Sequence, residues 1–263
     1  CEEILKKEKN NSQVYNLYAF ILYGLKKFDA AVEIWSEAIK INPAYLESYN
    51  GRGNAYMQLQ KFDEAIVNFN EAIKIEPKYF EAYTNLGSLF IKLKKFDEAI
   101  VNFNQAIKIK PNYAQAHHGK AYALMESSKF DEAIVNFNQA IKIKPNYADA
   151  YNSKGVCLNQ LGELENAINC YNKSIEINPK HKYANENLIN LLSYYEAKDN
   201  NSNPIIKTNY LLRLNKSNFN LKNKITDEEI INYYYKIHQI LKENLYNDNF
   251  DSEQIFRRNN VDL

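Results

Sequence analysis

The chain has 263 residues and a mass of 30.7 kDa, with 45% hydrophobic and 25% charged residues, a composition that supports a folded core and excludes wholesale disorder. Lys and Arg number 33 against 32 Asp and Glu, and a net charge of +1 lacks the basic excess that a nucleic-acid or membrane-surface protein needs. No run reaches the roughly 18 apolar residues of a membrane span, and three Cys cannot form a disulfide framework, so a reducing, cytoplasmic setting is expected.

The prolines set the organisation. Pro43, Pro77, Pro111, Pro145 and Pro179 are each 34 residues apart, and Pro204 breaks the series. A period between about 20 and 50 residues marks a solenoid or a similar array. In chain order, residues 1–11 read as the end of a truncated preceding repeat. Residues 2–5 fall in register with 36–39, and Cys1 takes the position held by Trp35 one period later. This register predicts a fragment of a longer protein. Five units follow at 12–45, 46–79, 80–113, 114–147 and 148–181. The segment KFDEAIVNFN recurs at 61–70, 95–104 and 129–138. Each unit predicts two helices. In the third, Tyr83, Leu86, Leu89, Phe90 and Leu93 carry one apolar stripe, and Ala99, Ile100, Phe103, Ala106 and Ile107 carry the next. A short turn at residues 94–95 separates them, and Pro111 sets the corner into the next unit.

Residues 182–197 predict a capping helix on Leu188, Ile189, Leu191 and Leu192, because a terminal repeat otherwise exposes its apolar face. Residues 198–225, Asn-rich and containing Pro204, read as a linker. Residues 226–263 form a C-terminal helical segment, with a helix expected over about 227–245. Its start carries a capping box of Thr226 and Glu229 and a hydrophobic staple of Ile225 and Ile230.

Small residues recur where helices must approach closely: Gly53, Gly87, Ala121 and Gly155 in first helices, and Ala31, Ala65, Ala99, Ala133 and Ala167 in second helices. A large ring recurs between them at Trp35, Phe69, Phe103, Phe137 and Tyr171. This order of small residues, ring and proline resembles the tetratricopeptide repeat (TPR) family, over about 170 residues in five copies without insertions. The resemblance implies an all-α fold: a right-handed α-solenoid, or TPR superhelix, with a capping helix and the extra C-terminal helical segment. It also implies a concave groove, lined by first helices, that holds a peptide or partner protein.

The sequence offers little enzyme chemistry. It has no phosphate loop, dinucleotide fingerprint or nucleophile elbow, so no cofactor and no catalytic residue is expected. Among His117, His118, His181 and His238 no spacing suits a metal. Cys157 and Cys170 are expected to be buried free thiols. The acidic pairs at 63–64, 97–98 and 131–132 open second helices, where they favour the helix dipole.

By the family register the groove is lined by Asn16, Phe20, Tyr23, Asn50, Asn54, Met57, Thr84, Ser88, His118, Tyr122, Met125 and Asn152. Within the groove positions Lys92 is the one base, against Glu47, Glu81, Glu126 and Asp149. The Lys, Asn and Arg clamp by which chaperone-binding TPR domains grip a carboxylate is absent, so a chaperone-adaptor role is not expected. Asn16, Asn50 and Asn152 share one offset, and an amide both donates to and accepts from an extended backbone. The expectation is a non-enzymatic protein-interaction scaffold whose partner is a neutral-to-basic protein or peptide, with no nucleic acid and no membrane. The alternative is a recognition arm of a larger enzyme, such as a transferase.

Overall fold

A computed structural model describes residues 10–198, with side chains to residue 191. The expected earlier-repeat register of residues 1–9, the linker and the C-terminal segment lie outside the described residues. Among those described there are eleven helices and no strand. They are α1 Ser12–Gly24, α2 Phe28–Ile41, α3 Leu46–Gln58, α4 Phe62–Ile75, α5 Phe80–Lys92, α6 Phe96–Ile109, α7 Ala114–Glu126, α8 Phe130–Ile143, α9 Ala148–Gln160, α10 Leu164–Ile177 and α11 Lys182–Lys198. None is long and apolar enough to cross a membrane.

Each unit is a helical hairpin closed by the same turn. Lys26, Gln60, Lys94, Ser128 and Gly162 all take positive φ, between 57° and 78°. The next residue's N–H bonds back five residues, as in Lys27 to Leu22 O at 2.9 Å and Lys95 to Phe90 O at 2.8 Å. This 6→1 bond with a left-handed residue before it is the Schellman arrangement, which satisfies the last carbonyls of the first helix. Only the fifth copy places glycine at the left-handed position.

The recurring ring holds the hairpins together. Trp35, Phe69, Phe103, Phe137 and Tyr171 are all buried to within 1% exposure. Each ring lies against a small residue of its own first helix and reaches the first helix of the next unit. The Phe103 ring is the tightest case. A Cβ at Gly87 would stand 2.8 Å from it, and one at Gly119 of the next unit would strike it as well. Ala99, Ala106, Ala116 and Ala123 complete its surroundings. The ring thus fills a slot that two glycines leave open, and the slot crosses the boundary between units.

First helices of adjacent units touch one another, whereas second helices of adjacent units scarcely meet. The first helices therefore form the inner face and the second helices the outer face. The first of the described helices, α1, leaves Leu17, Ile21 and Leu25 exposed. The residues that match Ile21 in later units, Ala55, Leu89, Ala123 and Cys157, are fully buried, each clustered with the preceding unit's ring. The last described helix, α11, buries Ala184, Leu188 and Leu191 but leaves Ile189 48% exposed.

Candidate binding groove

The inner face carries the sequence-expected residues, but they divide into two kinds. Some are committed to the fold. Asn16 is buried; its Oδ1 accepts from the Trp35 indole N–H at 2.8 Å and from the Ser48 hydroxyl at 3.3 Å, and its Nδ2 donates to the Tyr45 hydroxyl at 3.4 Å. It is a joint between the first two units. Thr84 and Ser88 donate to carbonyls of their own helix, those of Phe80 and Thr84, both at 2.9 Å. Met57 is buried in the core around Phe69. Asn50 accepts from Asn85 Nδ2 at 2.8 Å, and Asn152 accepts from Asn187 Nδ2 at 3.0 Å. Those bonds tie neighbouring first helices through the acceptor side of each amide.

The others present surface to the groove. Phe20 is 45% exposed and meets the Trp35 ring edge-on at 5.2 Å, while Tyr23 packs half-buried between Phe28 and Trp35. Asn54, Tyr122 and Met125 are half-buried, and the Tyr122 hydroxyl bonds to Glu126. Burial raises the Tyr122 phenol above its usual range, and Glu126 adds to the effect. His118 lies 4.8 Å from the Tyr147 ring and 5.5 Å from Phe137. Desolvation pulls its imidazole below the usual histidine range, with Asp149 opposing. The adjacent His117 turns away and bonds Pro111 O through Nε2 at 2.9 Å.

Sequence reasoning missed a row of tyrosines. Tyr45, Tyr79, Tyr113 and Tyr147 stand two residues after successive prolines, at the N-cap positions of α3, α5, α7 and α9. In the fifth copy the residue is His181. The signal was the Pro-x-Tyr repeat itself, hidden by a chain with 21 tyrosines. Each phenol is raised chiefly by desolvation, Tyr147 to about 12. Acidic groups add to the shift: Glu47 and Glu81 act on Tyr79, Glu81 on Tyr113 and Asp149 on Tyr147. Asn50 bonds to the Tyr79 hydroxyl much as Asn16 does to Tyr45.

Nothing in this face resembles a reaction centre. Among the described residues no group of three or more His, Cys, Asp or Glu could hold a metal. Cys157 and Cys170 are free and buried, and burial pushes the Cys157 thiol up to about 12.

Comparison with known proteins agrees with the architecture. The TPR repeat profile matches residues 21–60, 53–94 and 121–159, and the tetratricopeptide repeat profile matches 80–113 and 148–181. The chain belongs to the tetratricopeptide repeat family. Human tetratricopeptide repeat protein 6 is 36% identical over 50 residues, which cover 19% of this chain and 10% of that protein. Among solved structures the TPR protein YrrB, described as having an unusual peptide-binding site, aligns with a TM-score of 0.55 at 23% identity. The alignment covers 70% of this chain and 95% of YrrB. PilF of Pseudomonas aeruginosa aligns with a TM-score of 0.65 at 14% identity, over 78% and 90% of the two chains. The TPR fold here is a right-handed α-solenoid, an architecture that serves as a protein-interaction scaffold.

Proposed function

We propose that this TPR chain holds an extended segment of a partner protein along its first helices, and that the segment is neutral to basic. The observation that carries the reading is the charge at the first-helix groove positions, where Glu47, Glu81, Glu126 and Asp149 stand against Lys92; Lys110 and Lys144 come from the corners and lie over the Phe80, Tyr113 and Tyr147 rings. A cleft with low-dielectric walls focuses such a field and disfavours ligands of like charge. Phe20, Tyr23, Tyr122 and Met125 offer apolar and aromatic surface for the segment's side chains. Asn54, and the remaining amide function of Asn152, offer bonds to its backbone. YrrB, similar in fold, has a peptide-binding site by its own description, in line with this use of the face. The same face lacks the cationic clamp that a chaperone adaptor needs for a C-terminal carboxylate, and it lacks the Lys and Arg that phosphate contacts require.

The test is a titration of three labelled probes at low and high salt: a basic peptide, an acidic C-terminal peptide of the chaperone type, and single-stranded DNA. The basic peptide should bind best, with a modest salt dependence because few charges take part. Preference for the acidic peptide or the DNA would sink the reading. It would move attention to the lysines of the second helices and corners, Lys74, Lys108, Lys110, Lys142 and Lys144.

A further inference from the structure

The five repeats serve as one another's controls. In the fifth unit, His181 donates from Nε2 to Asp149 Oδ1 at 3.0 Å. Its Nδ1 accepts from the Ala184 N–H at 3.1 Å, which fixes Nε2 as the donor. Asp149 holds the second position of that unit and His181 the last. The same two positions carry Glu47 and Tyr79 in the second unit, Glu81 and Tyr113 in the third, and the neutral Gln115 with Tyr147 in the fourth. The equivalence is physical, since Tyr79 lies in the field of Glu47 and Tyr113 in that of Glu81. A tyrosine also precedes each carboxylate by two residues, so Glu47 stands between Tyr45 and Tyr79, and Glu81 between Tyr79 and Tyr113. Among the described residues neither Glu47 nor Glu81 forms an ion pair, although the first is exposed and the second half-buried. Two cations reach this row and pack on rings: Lys110 on Phe80 and Tyr113 at 4.1 and 5.2 Å, and Lys144 on Tyr147 at 4.6 Å.

We infer that Glu47 and Glu81, each framed by two tyrosine hydroxyls, are adjacent seats for two basic side chains of one bound segment, and that the fifth copy of this seat is filled from within by His181. The inference rests on the groove reading above and narrows it. Charge complementarity names the occupant: an ammonium or guanidinium gives a carboxylate the donor that His181 gives Asp149, and the phenol oxygens accept further N–H bonds. Repeat spacing names its conformation. Packed helix axes lie about 8–10 Å apart. A polyproline II chain rises about 3.1 Å per residue with three residues per turn, so side chains three apart leave one face at that spacing. In a flat strand, side chains three apart leave opposite faces. The segment is therefore a polyproline II stretch with basic residues at i and i+3.

The experiment uses the full chain and two labelled eight-residue probes of equal composition, each six prolines and two lysines, with the lysines three apart or two apart. Fluorescence anisotropy should give about fivefold tighter binding for the first, the scale of one solvent-exposed ion pair. Glu47→Gln and Glu81→Gln should each remove most of that advantage, while Glu64→Gln on the outer face leaves it intact. Gln115→Glu should add a third seat between Tyr113 and Tyr147, and more than double the affinity of a probe with lysines at i, i+3 and i+6. All four variants alter exposed or half-exposed side chains, and their melting curves should overlay the parent. Unchanged affinity in both Glu47→Gln and Glu81→Gln overturns the seats. If Phe20→Ala weakens binding in that case, the groove reading survives; if it does not, or if the parent binds no probe, both fall. Loss in the Gln variants without preference between the two spacings overturns the polyproline II register.

Discussion

Phe103→Ala should be the most damaging truncation in the middle of the solenoid. The ring is 1% exposed and bounded by Gly87, Gly119, Ala99, Ala106, Ala116 and Ala123. Phe→Ala in a core costs about 3–5 kcal/mol, and the spread depends on how far the neighbours relax into the void. The buried members around it are glycines and alanines, which have no rotamers with which to refill the space, while Phe80, Phe90 and Ile100 at the edge of the cluster can relax in part, so the cost should fall in mid-range, about 4 kcal/mol. Since the slot joins the third and fourth units, the loss should be local. Solenoid stability is a sum of unit and nearest-neighbour terms, and the term removed is the one at that boundary. Urea denaturation gives the total, and amide hydrogen exchange resolved by peptide gives its distribution. Protection should collapse first in α5, α6 and α7 and persist longer in α1 and α2. Val101→Ala on the same helix is the control: Val101 is 59% exposed and its truncation should stay within about 0.5 kcal/mol. A Phe103 variant no worse than the Val101 variant, or one that loosens all units equally, would refute the packing argument.

Asn16→Ala should cost about 1–3 kcal/mol, because it strands the Trp35 indole N–H in the core; a normal melting midpoint would remove the amide from the fold and return it to the groove. Gly162→Ala tests backbone alone: φ is +78° and a Cβ there meets nothing within 4 Å, so strain of about 1 kcal/mol should appear in the urea midpoint without any packing effect. Because burial sets the folded pKa of His118 below its unfolded value, its contribution is whole above about pH 6.5 and is lost as pH falls from there toward the lowered value. His118→Asn, the residue at this offset in three other units, should flatten that acid arm of the stability profile. Cys157 and Cys170 should resist a thiol reagent until the chain is denatured, as peptide mapping of the labelled sites would report.

The periodic parts of the fold were legible because every unit repeats one solution. A proline stops each second helix of the five units, and a small residue faces each ring. The helices of the third unit, Phe80–Lys92 and Phe96–Ile109, lie on either side of the turn expected at residues 94–95. Less legible was how each turn is made. Lysine, glutamine and serine at positive φ give no sequence signal of the kind that Gly162 gives, and the Schellman bond is what holds them there. The exposed Ile21, Leu17 and Leu25 show the converse. A position's offset predicts which face it takes, but its burial depends on the side chains set against it.

For the inner face, register predicts direction and not availability. Asn16 and Asn50 share an offset, yet one is enclosed by Trp35, Tyr45 and Ser48, and the other bridges to Asn85 and Tyr79. The difference lies in which residue the next unit brings, Ser48 in one case and Asn85 in the other, and that pairing spans about one whole period. An argument that counts amides along one helix face cannot see it. The tyrosines failed for the opposite reason: their periodicity was plain, but an aromatic beside a proline corner reads as packing. What gives them a chemical reading is the partner each one faces. A carboxylate two residues after the N-cap would ordinarily be assigned to the helix dipole. In the fifth copy that same carboxylate takes a histidine N–H, and the carboxylates of the second and third copies face tyrosines where that histidine would stand. The informative comparison is therefore between repeats rather than along a helix, because equal backbones with unequal side chains isolate what each substitution leaves unpaired.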